Sequence, residues 1–576
     1  MEVWLFEYQP QIGGAFAARV YEDAELVSSK QLTTFSDFRY GGPQDFLSPE
    51  QPGGGHLITY VPSGSKTPLQ WQCDAVAVCS GLHVEPNIPH IEGIENVPLV
   101  IHSSMFKQRK QFGHGKTVMV VGSGETAADV AYLAVTAPTR RVVMCHRDGF
   151  HMAPKRNPGP ILLPILGRKQ NCKEPGIPID VSRANLFDTT YLHPILRNSM
   201  LLWDYYHYYV KWLLWVSGGT TMGMNQWVGA ISPERHHPSR IFFNKSDKIC
   251  AYISLPYRPK YPEWRHWLYA LRSAIVQKPV PDTQGKQVDL APWPESIDGS
   301  GIAHFRDTGR PESDRMKKEI VKPDMVILCT GYKQSFPFFQ TRREGGHRAY
   351  PVPSEADVRG IWRCNDATIG FIGFLRPSLG AIPPLAEMQA QLWTVNLLAP
   401  HKIPRALVTE DEMHYRLHPL PGARITYGVD HESYAYQLAL DMDAAPGLTD
   451  ILRLQSWRLL FIWALGAHFN TKFRLQGPWK WDGAQELLVS DEFWQTITRR
   501  PLFFGHFAVS ILPIIIFGPI SGLVFLYATI LGLGRQAVQG CRAGFKCRAH
   551  DKLTIHDFPI DIPAERAAKV WENSCP

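Results

Sequence analysis

Hydrophobic positions along much of the chain fall in short continuous runs that end on glycine, a pattern of buried parallel strands turning sharply into the next element. The clearest runs through Val118-Met119-Val120-Val121 into Gly122-Ser123-Gly124-Glu125-Thr126-Ala127 and on into an Ala-rich segment. It predicts a strand over Lys116–Val121, a tight turn and a helix. Asp74–Cys79, followed by Ser80-Gly81, and Asp324–Cys329, followed by Thr330-Gly331-Tyr332, repeat the logic. Further strands are expected at Val3–Glu7, Leu57–Val61, Arg141–Cys145 and Ile369–Gly373, and helices at Leu385–Leu398 and, with aromatic residues on several faces, Leu201–Trp212.

The run Gly122-x-Gly124-x-x-Ala127 is the strongest chemical signal. In such a turn the first glycine permits the bend, the second lets the backbone approach a pyrophosphate, and the small third residue allows close helix–strand packing. The strand after the helix ends at Cys145 and is followed by His146-Arg147 where an acid would bind a ribose hydroxyl. Cations at that place favour a 2′-phosphate, hence NADP. A dinucleotide turn usually opens a domain, so this one predicts a ligand-binding segment before it. Val3–Glu7 reads as the second strand of that earlier unit, with Glu7 as its ribose-binding acid. Counting back about 20 residues from such an acid puts its glycine turn ahead of Met1, so the chain is expected to start inside a dinucleotide domain, as a truncated form.

Length and composition narrow the class. A chain of 576 residues suggests about three domains, and 44% hydrophobic with 20% charged residues is ordinary globular composition. The net charge of +7 is modest, and no basic cluster interleaves with aromatics ahead of the C-terminal tail, so nucleic-acid binding is not indicated. Ten scattered cysteines show no CxxC and no zinc-type spacing, which predicts reduced thiols and no metal site. The first residues lack the basic and apolar regions of a secretory signal. From Leu502 to Gly534 no charged residue occurs, while Arg499, Arg500 and Arg535 flank the run. That exceeds the roughly 20 residues that span a bilayer, and predicts a membrane anchor or re-entrant hairpin centred on about 506–532. Pro513 and Pro519 leave a buried hairpin as the alternative.

Together these residues resemble the flavin-containing monooxygenases. The resemblance runs from about residue 3 to about 486, through Phe6-Glu7 with Ile12-Gly13-Gly14, Ser28-Ser29-Lys30 with Phe35-Ser36-Asp37-Phe38, Val78–Gly81, Gly122–Ala127 and Cys329–Tyr332 with Phe336-Pro337-Phe338. It continues through Leu379–Ala390 and Phe473–Pro478 with Lys480–Ala484. It implies an α/β fold of two nested doubly wound, Rossmann-like dinucleotide domains, one for FAD interrupted by one for NADPH, with a C-terminal helical membrane segment. The implied division is 1–112 for the first part of the FAD domain, 113–320 for the NADPH domain with an aromatic insertion, 321–490 for the second FAD part, 502–534 for the membrane segment and 535–576 for a tail.

The implied activity is oxygen insertion from O2 into an apolar small molecule, by hydroxylation, epoxidation or N/S-oxidation, in secondary metabolism at a cytosol-facing endoplasmic-reticulum membrane. The resemblance assigns Glu7, Gly13, Gly14, Ser28, Ser29, Gly331 and Gly380 to FAD, and Gly122, Gly124, Ala127, His146 and Arg147 to NADPH. His102 is a candidate for supporting the nicotinamide–flavin geometry, with a plain structural histidine as the equal alternative. Three departures stand out. The FAD glycine turn is absent; of the family's identifying segment only His102 and an aromatic, Phe106, remain; and Val27 and Glu125 stand where the family often has asparagine. They keep open an FAD-deficient remnant, and a Baeyer-Villiger-type insertion beside a ketone remains a further alternative. A reductase passing hydride to a disulfide would need a close cysteine pair near the flavin, which is lacking.

Overall fold

In the computed structural model, the structure describes most of residues 56–153, 244–253, 264–339, 350–403, 427–498 and 511–546, with short pieces elsewhere that include 5–7, 14–15, 19–24, 180–182 and single positions between 192 and 208. Its centre is a five-stranded sheet of β1 (Leu99–His102), β2 (Thr117–Val121), β3 (Arg141–Cys145), β4 (Val288–Ala291) and β5 (Met325–Leu328). The strand order is β4-β3-β2-β5-β1, and every pairing is parallel. All five residues of β2 and all four of β5 are buried, as continuous apolar runs covered on both faces require. The helix α1 (Glu125–Thr136) follows β2 and buries Ala127, Ala128, Val130, Ala131, Leu133, Ala134 and Val135. Small alanines let its axis come close to the sheet, where it meets Val118, Val120, Val142 and Met144 in one core.

β1 and β5 come from opposite sides of the 113–320 stretch, yet both belong to this sheet. Outside it, Val76–Val78 pairs in parallel with Ile369–Phe371, and His56–Tyr60 forms a hairpin with Leu69–Cys73. The second core gathers around α2 (Ile382–Leu398) and α3 (His431–Asp441), with Trp362, Leu385, Leu392, Tyr415, Tyr434 and Leu438. α2 begins on Ile382-Pro383-Pro384, where missing N–H groups and a preset φ suit the first turn.

Several expectations are corrected. Leu5–Glu7 is exposed and forms no strand; Phe6 instead packs on the hairpin, 4.9 Å from Tyr60 and 6.0 Å from Trp71 between ring centres. An aromatic platform thus claims the residue that a sheet would have buried. Cys73, Cys79, Cys145, Cys250 and Cys329 are free, but Cys364 is disulfide-bonded, against the expectation of reduced thiols throughout. The described part of the C-terminal apolar run is not a buried element. It is one helix, Leu512–Lys546, with Pro519 inside it, and only 11% of its most apolar stretch, Leu512–Leu531, is buried. Leu201, Asp204, Tyr205 and Tyr208 are helical, as the aromatic pattern predicts.

The second core closes on an ion pair. Arg359 Nε lies 2.6 Å from Asp441 Oδ2 and Nη2 lies 3.0 Å from Oδ1, with both side chains fully buried. Gln437 also donates to Asp441, and Tyr434 donates to the Arg359 carbonyl. Removing one partner of such a pair strands a charge, at a cost of about 3–5 kcal/mol. Arg359→Leu is therefore expected to lower the urea midpoint sharply, and the double change with Asp441→Leu to recover most of it. Equal losses in the single and double variants would disprove the pairing argument.

Candidate functional site

β2 delivers the chain to Gly122, whose amide donates to the Cys145 carbonyl at the end of β3. Gly122 has φ +132, and a Cβ there would lie 2.3 Å from the Cys329 carbonyl oxygen, so only glycine lets β2 and β5 run so close. Gly124 is different. It caps α1 with φ −81, and a Cβ there would meet nothing within 4 Å. The protein leaves this space open above the first N–H groups of a helix, where a pyrophosphate is favoured by geometry and dipole alike. Ala127 is fully buried against the sheet. The three residues of the turn thus stand together at the junction of β2 and α1.

Residues remote in sequence complete this turn. The Asn244 side chain donates to the Ser123 carbonyl, and the Lys245 amide to Glu125 Oε1. Glu125, at a position where the family often has asparagine, is thereby a backbone acceptor in the first turn of α1. One turn on, Asp129 receives Tyr21 Oη at 2.8 Å and Ser246 Oγ at 2.9 Å, with Lys155 Nζ at 3.4 Å. Burial, followed by the Asp129 charge and hydrogen bond, pushes the Tyr21 hydroxyl far up, so it stays a donor. An acid on an otherwise apolar helix was a usable signal for Asp129; nothing local to Tyr21, Lys155 or Asn244 announces their part.

The two residues after β3 separate. His146 is buried; its Nδ1 accepts the Gly149 amide and its Nε2 lies 3.3 Å from the buried Glu312 carboxylate. Burial alone would raise the Glu312 carboxyl, but the imidazole beside it holds it below the usual range. The expectation that His146 faces a 2′-phosphate meets a ring that is buried, tied to a turn and set beside a buried acid. Arg147 is exposed, with its guanidinium 5.3 Å from the centre of the Trp293 ring.

His102 ends β1. Its Nε2 lies 3.1 Å from the Gly331 carbonyl, and its Nδ1 accepts the Ser104 amide, so the neutral Nε2–H tautomer satisfies both. Burial pushes this imidazole below its usual range, the Gly331 bond opposing. Its ring meets Tyr332 edge-on at 5.1 Å, while Arg19 lies over the Tyr332 ring at 4.5 Å. Gly331 itself has φ +79, and its carbonyl also accepts the Asn87 amide. Tyr332-Lys333 then pairs with Glu85-Pro86, so both passages between the central sheet and the 76–78 strand are fastened here.

On the FAD side, Gly380 has φ +157 and precedes α2; a Cβ there would lie 2.2 Å from the buried His431 ring. Gly14 and Gly81 hold positive φ with open space where a side chain would sit. The Ser29 amide donates to Asp180, whose carboxyl is pushed up by burial. Ser36 is bonded to Glu387 through its amide and hydroxyl and accepts from Arg474, which ties the early segment to α2. Glu7 is exposed in the segment that packs on the hairpin. Gly13 and Ser28 lie outside the described residues. Among the described residues no group of acids, histidines and cysteines could hold a metal ion.

This arrangement, a parallel sheet with an open glycine turn joined by two fastened passages to a second parallel pair, is a Rossmann-type α/β fold. A sequence model of the flavin-binding monooxygenase-like family matches residues 65–157 and 301–502. Monooxygenase cfoE of Aspergillus candidus is 45% identical over 92% of this chain and 94% of its own, and Monooxygenase ptmN of Penicillium ochrochloron 42% identical over 94% and 92%. Monooxygenase PC-14 of Penicillium crustosum is 44% identical over 87% and 88%. The chain belongs to the flavin-binding monooxygenase-like family, and is an FAD- and NADPH-dependent monooxygenase.

Two variants separate the structural from the ligand-binding glycine. Gly124→Ala is expected to leave the melting temperature nearly unchanged and to weaken NADP binding in calorimetry. Gly122→Ala is expected to lower the melting temperature itself, since a Cβ would overlap a carbonyl. A Gly124→Ala protein that binds NADP as the parent does would remove that glycine from the cofactor site.

A pH effect follows from His468, fully buried near Glu432, whose imidazole is pushed down to about 3 by burial from its ordinary 6.5. The folded chain keeps it neutral while the unfolded chain protonates it near 6.5. Unfolding therefore binds a proton between those values, and stability present above pH 6.5 drains away as pH falls through that window. His468→Asn is expected to flatten the decline of the melting temperature between pH 6.5 and 4.5. An unchanged slope would refute the assignment.

Proposed function

We propose that the chain inserts one oxygen atom of O2 into an apolar small molecule of secondary metabolism, in two nested dinucleotide domains. The observation that carries the cofactor half of this reading is the open helix N-terminus at Gly124, with Gly122 and Ala127 shaped around it. Bound FAD supplies the oxygen chemistry, with NADPH as hydride donor, and the protein supplies orientation, electrostatics and exclusion of water. Gly122, Gly124 and Ala127 would receive the NADPH pyrophosphate and Arg147 its 2′-phosphate. A guanidinium held over an indole face is partly pre-organised for a bidentate phosphate contact.

Glu7, Gly13, Gly14, Ser28, Ser29, Gly331 and Gly380 are assigned to the FAD neighbourhood. His102 is assigned to the join: its ring holds the Gly331 carbonyl and packs on Tyr332, so it sets the angle at which the two halves meet. A neutral imidazole there keeps Nδ1 free to accept the Ser104 amide. The aromatic, proline-rich middle region favours an apolar substrate. The helix Leu512–Lys546, with an exposed apolar surface and flanking arginines, supports membrane association at the cytosolic face of the endoplasmic reticulum.

The test is a flavin absorbance spectrum of the purified full chain, then NADPH oxidation with and without cell extract from the source organism. FAD is expected to copurify, and a metabolite to gain the mass of one oxygen only when NADPH and O2 are both present. Absence of flavin would sink the enzyme reading, and NADPH-driven peroxide with no oxygenated product would make the protein an oxidase. Arg147→Ala is expected to raise KM for NADPH about tenfold or more, from loss of a charge-assisted phosphate contact, while leaving KM for NADH nearly unchanged.

A further inference from the structure

The apolar C-terminal helix does not stand away from the rest of the chain. Phe517, Ser521, Val524 and Phe525 recur at helical spacing and form one stripe, and residues from the aromatic middle region are packed on it. Phe517 joins Leu192 and Leu196 in a small core with Tyr205 beside it. The His193 amide donates to Ser521 Oγ at 2.8 Å, and the His193 ring meets Phe525 edge-on at 4.6 Å. Ser521 is 1% exposed.

Position along the helix gives this contact its meaning. The most apolar stretch, Leu512–Leu531, is 20 residues, or roughly 30 Å at about 1.5 Å per residue, just the thickness of a hydrocarbon core. Ser521 lies at its middle. Were the helix to cross a bilayer, Ser521 would sit near the midplane, and the backbone of Leu192 and His193, which is not helical, would sit there with it. Among the described residues of this segment, the His193 ring itself stands against Phe525, one turn from Ser521. Non-helical backbone and an ionisable ring are disfavoured at that depth, where no water satisfies them.

The same helix laid flat avoids that penalty. Its opposite side exposes Ile516, Leu523, Leu526, Tyr527 and Ile530, which is a face to bury in acyl chains rather than in water. Charge points the same way: from residue 493 to residue 550 there is no acid, but Arg499, Arg500, Arg535, Arg542, Lys546 and Arg548 are present. Cations at both ends of an apolar helix match the anionic headgroups of one leaflet.

We propose that this helix lies in the plane of the membrane surface and does not cross it: its Phe517–Ser521–Phe525 stripe is held by Leu192, His193, Leu196 and Tyr205, and its Ile516–Leu523–Ile530 side is immersed in one anionic leaflet. The inference rests on the membrane association proposed above and specifies its topology. Both ends of the helix then face the same side as the catalytic domains, and the aromatic middle region is seated directly on the lipid from which an apolar substrate would be drawn.

The full chain, tagged at its C-terminus and made in the presence of sealed microsomes, tests this by protease protection, with flotation on phosphatidylserine-containing and pure phosphatidylcholine vesicles as the companion measurement. Expected are flotation, stronger on the anionic vesicles, and a C-terminal tag digested without detergent. Flotation with a tag protected until detergent is added would establish a span and overturn the inference alone. Failure to float on either vesicle would overturn membrane association and the inference with it. In Ile516→Glu/Leu523→Glu, vesicle binding is expected to fall about tenfold or more with an unchanged flavin spectrum; undiminished binding would also overturn the assignment of that face.

Discussion

A side chain at position 122 would need the space held by the Cys329 carbonyl, and much of the molecule follows from that exclusion. Because glycine lets β2 and β5 lie so close, the chain leaving β5 emerges beside the turn that leaves β2. The exit from β5, Thr330-Gly331-Tyr332, is then at hand to be fastened by Asn87 and His102. One steric constraint thus sets the distance between a cofactor turn and the passage leading out of its sheet. In an enzyme that must bring a nicotinamide and a flavin together, this distance is part of the chemistry.

Polar side chains buried between apolar cores join segments that are far apart in sequence. Asp129 holds Tyr21, Ser246 and Lys155; Glu387 holds Ser36, Asn470 and Arg474. A buried carboxylate is costly unless several donors surround it, and each node supplies them from two or three separate stretches of chain. Apolar packing alone would let those stretches slide, whereas a carboxylate with directional donors admits one arrangement. These nodes lie around the glycine turn and the start of α2, so they brace elements that a cofactor would touch.

The strands at Thr117–Val121, Arg141–Cys145 and Met325–Leu328 were legible within a residue or two, because a strand buried on both faces must be apolar without interruption. Leu5–Glu7 shows the limit of that reasoning: an apolar stretch says that burial is wanted, not which surface provides it, and here the hairpin aromatics do. His146 shows another. A cation after a strand reads the same whether it turns out to a phosphate or in to Glu312, and only the distant chain that brings Glu312 decides. Tyr21, Asp180 and Asn244 act through contacts spanning more than a hundred residues, which no local pattern encodes.

With His146 turned inward, Arg147 is left as the candidate cation for a 2′-phosphate at this strand end, and its setting suits that task better than a pair would. Two adjacent cations on an exposed turn repel each other and lose rotamer freedom when a phosphate orders them. Here the neighbour is withdrawn beside the buried Glu312 and fixes the turn by accepting the Gly149 amide. The remaining guanidinium already lies over Trp293, so less freedom is lost on binding. In that reading the histidine would bear on cofactor choice only indirectly, by holding the backbone from which Arg147 projects.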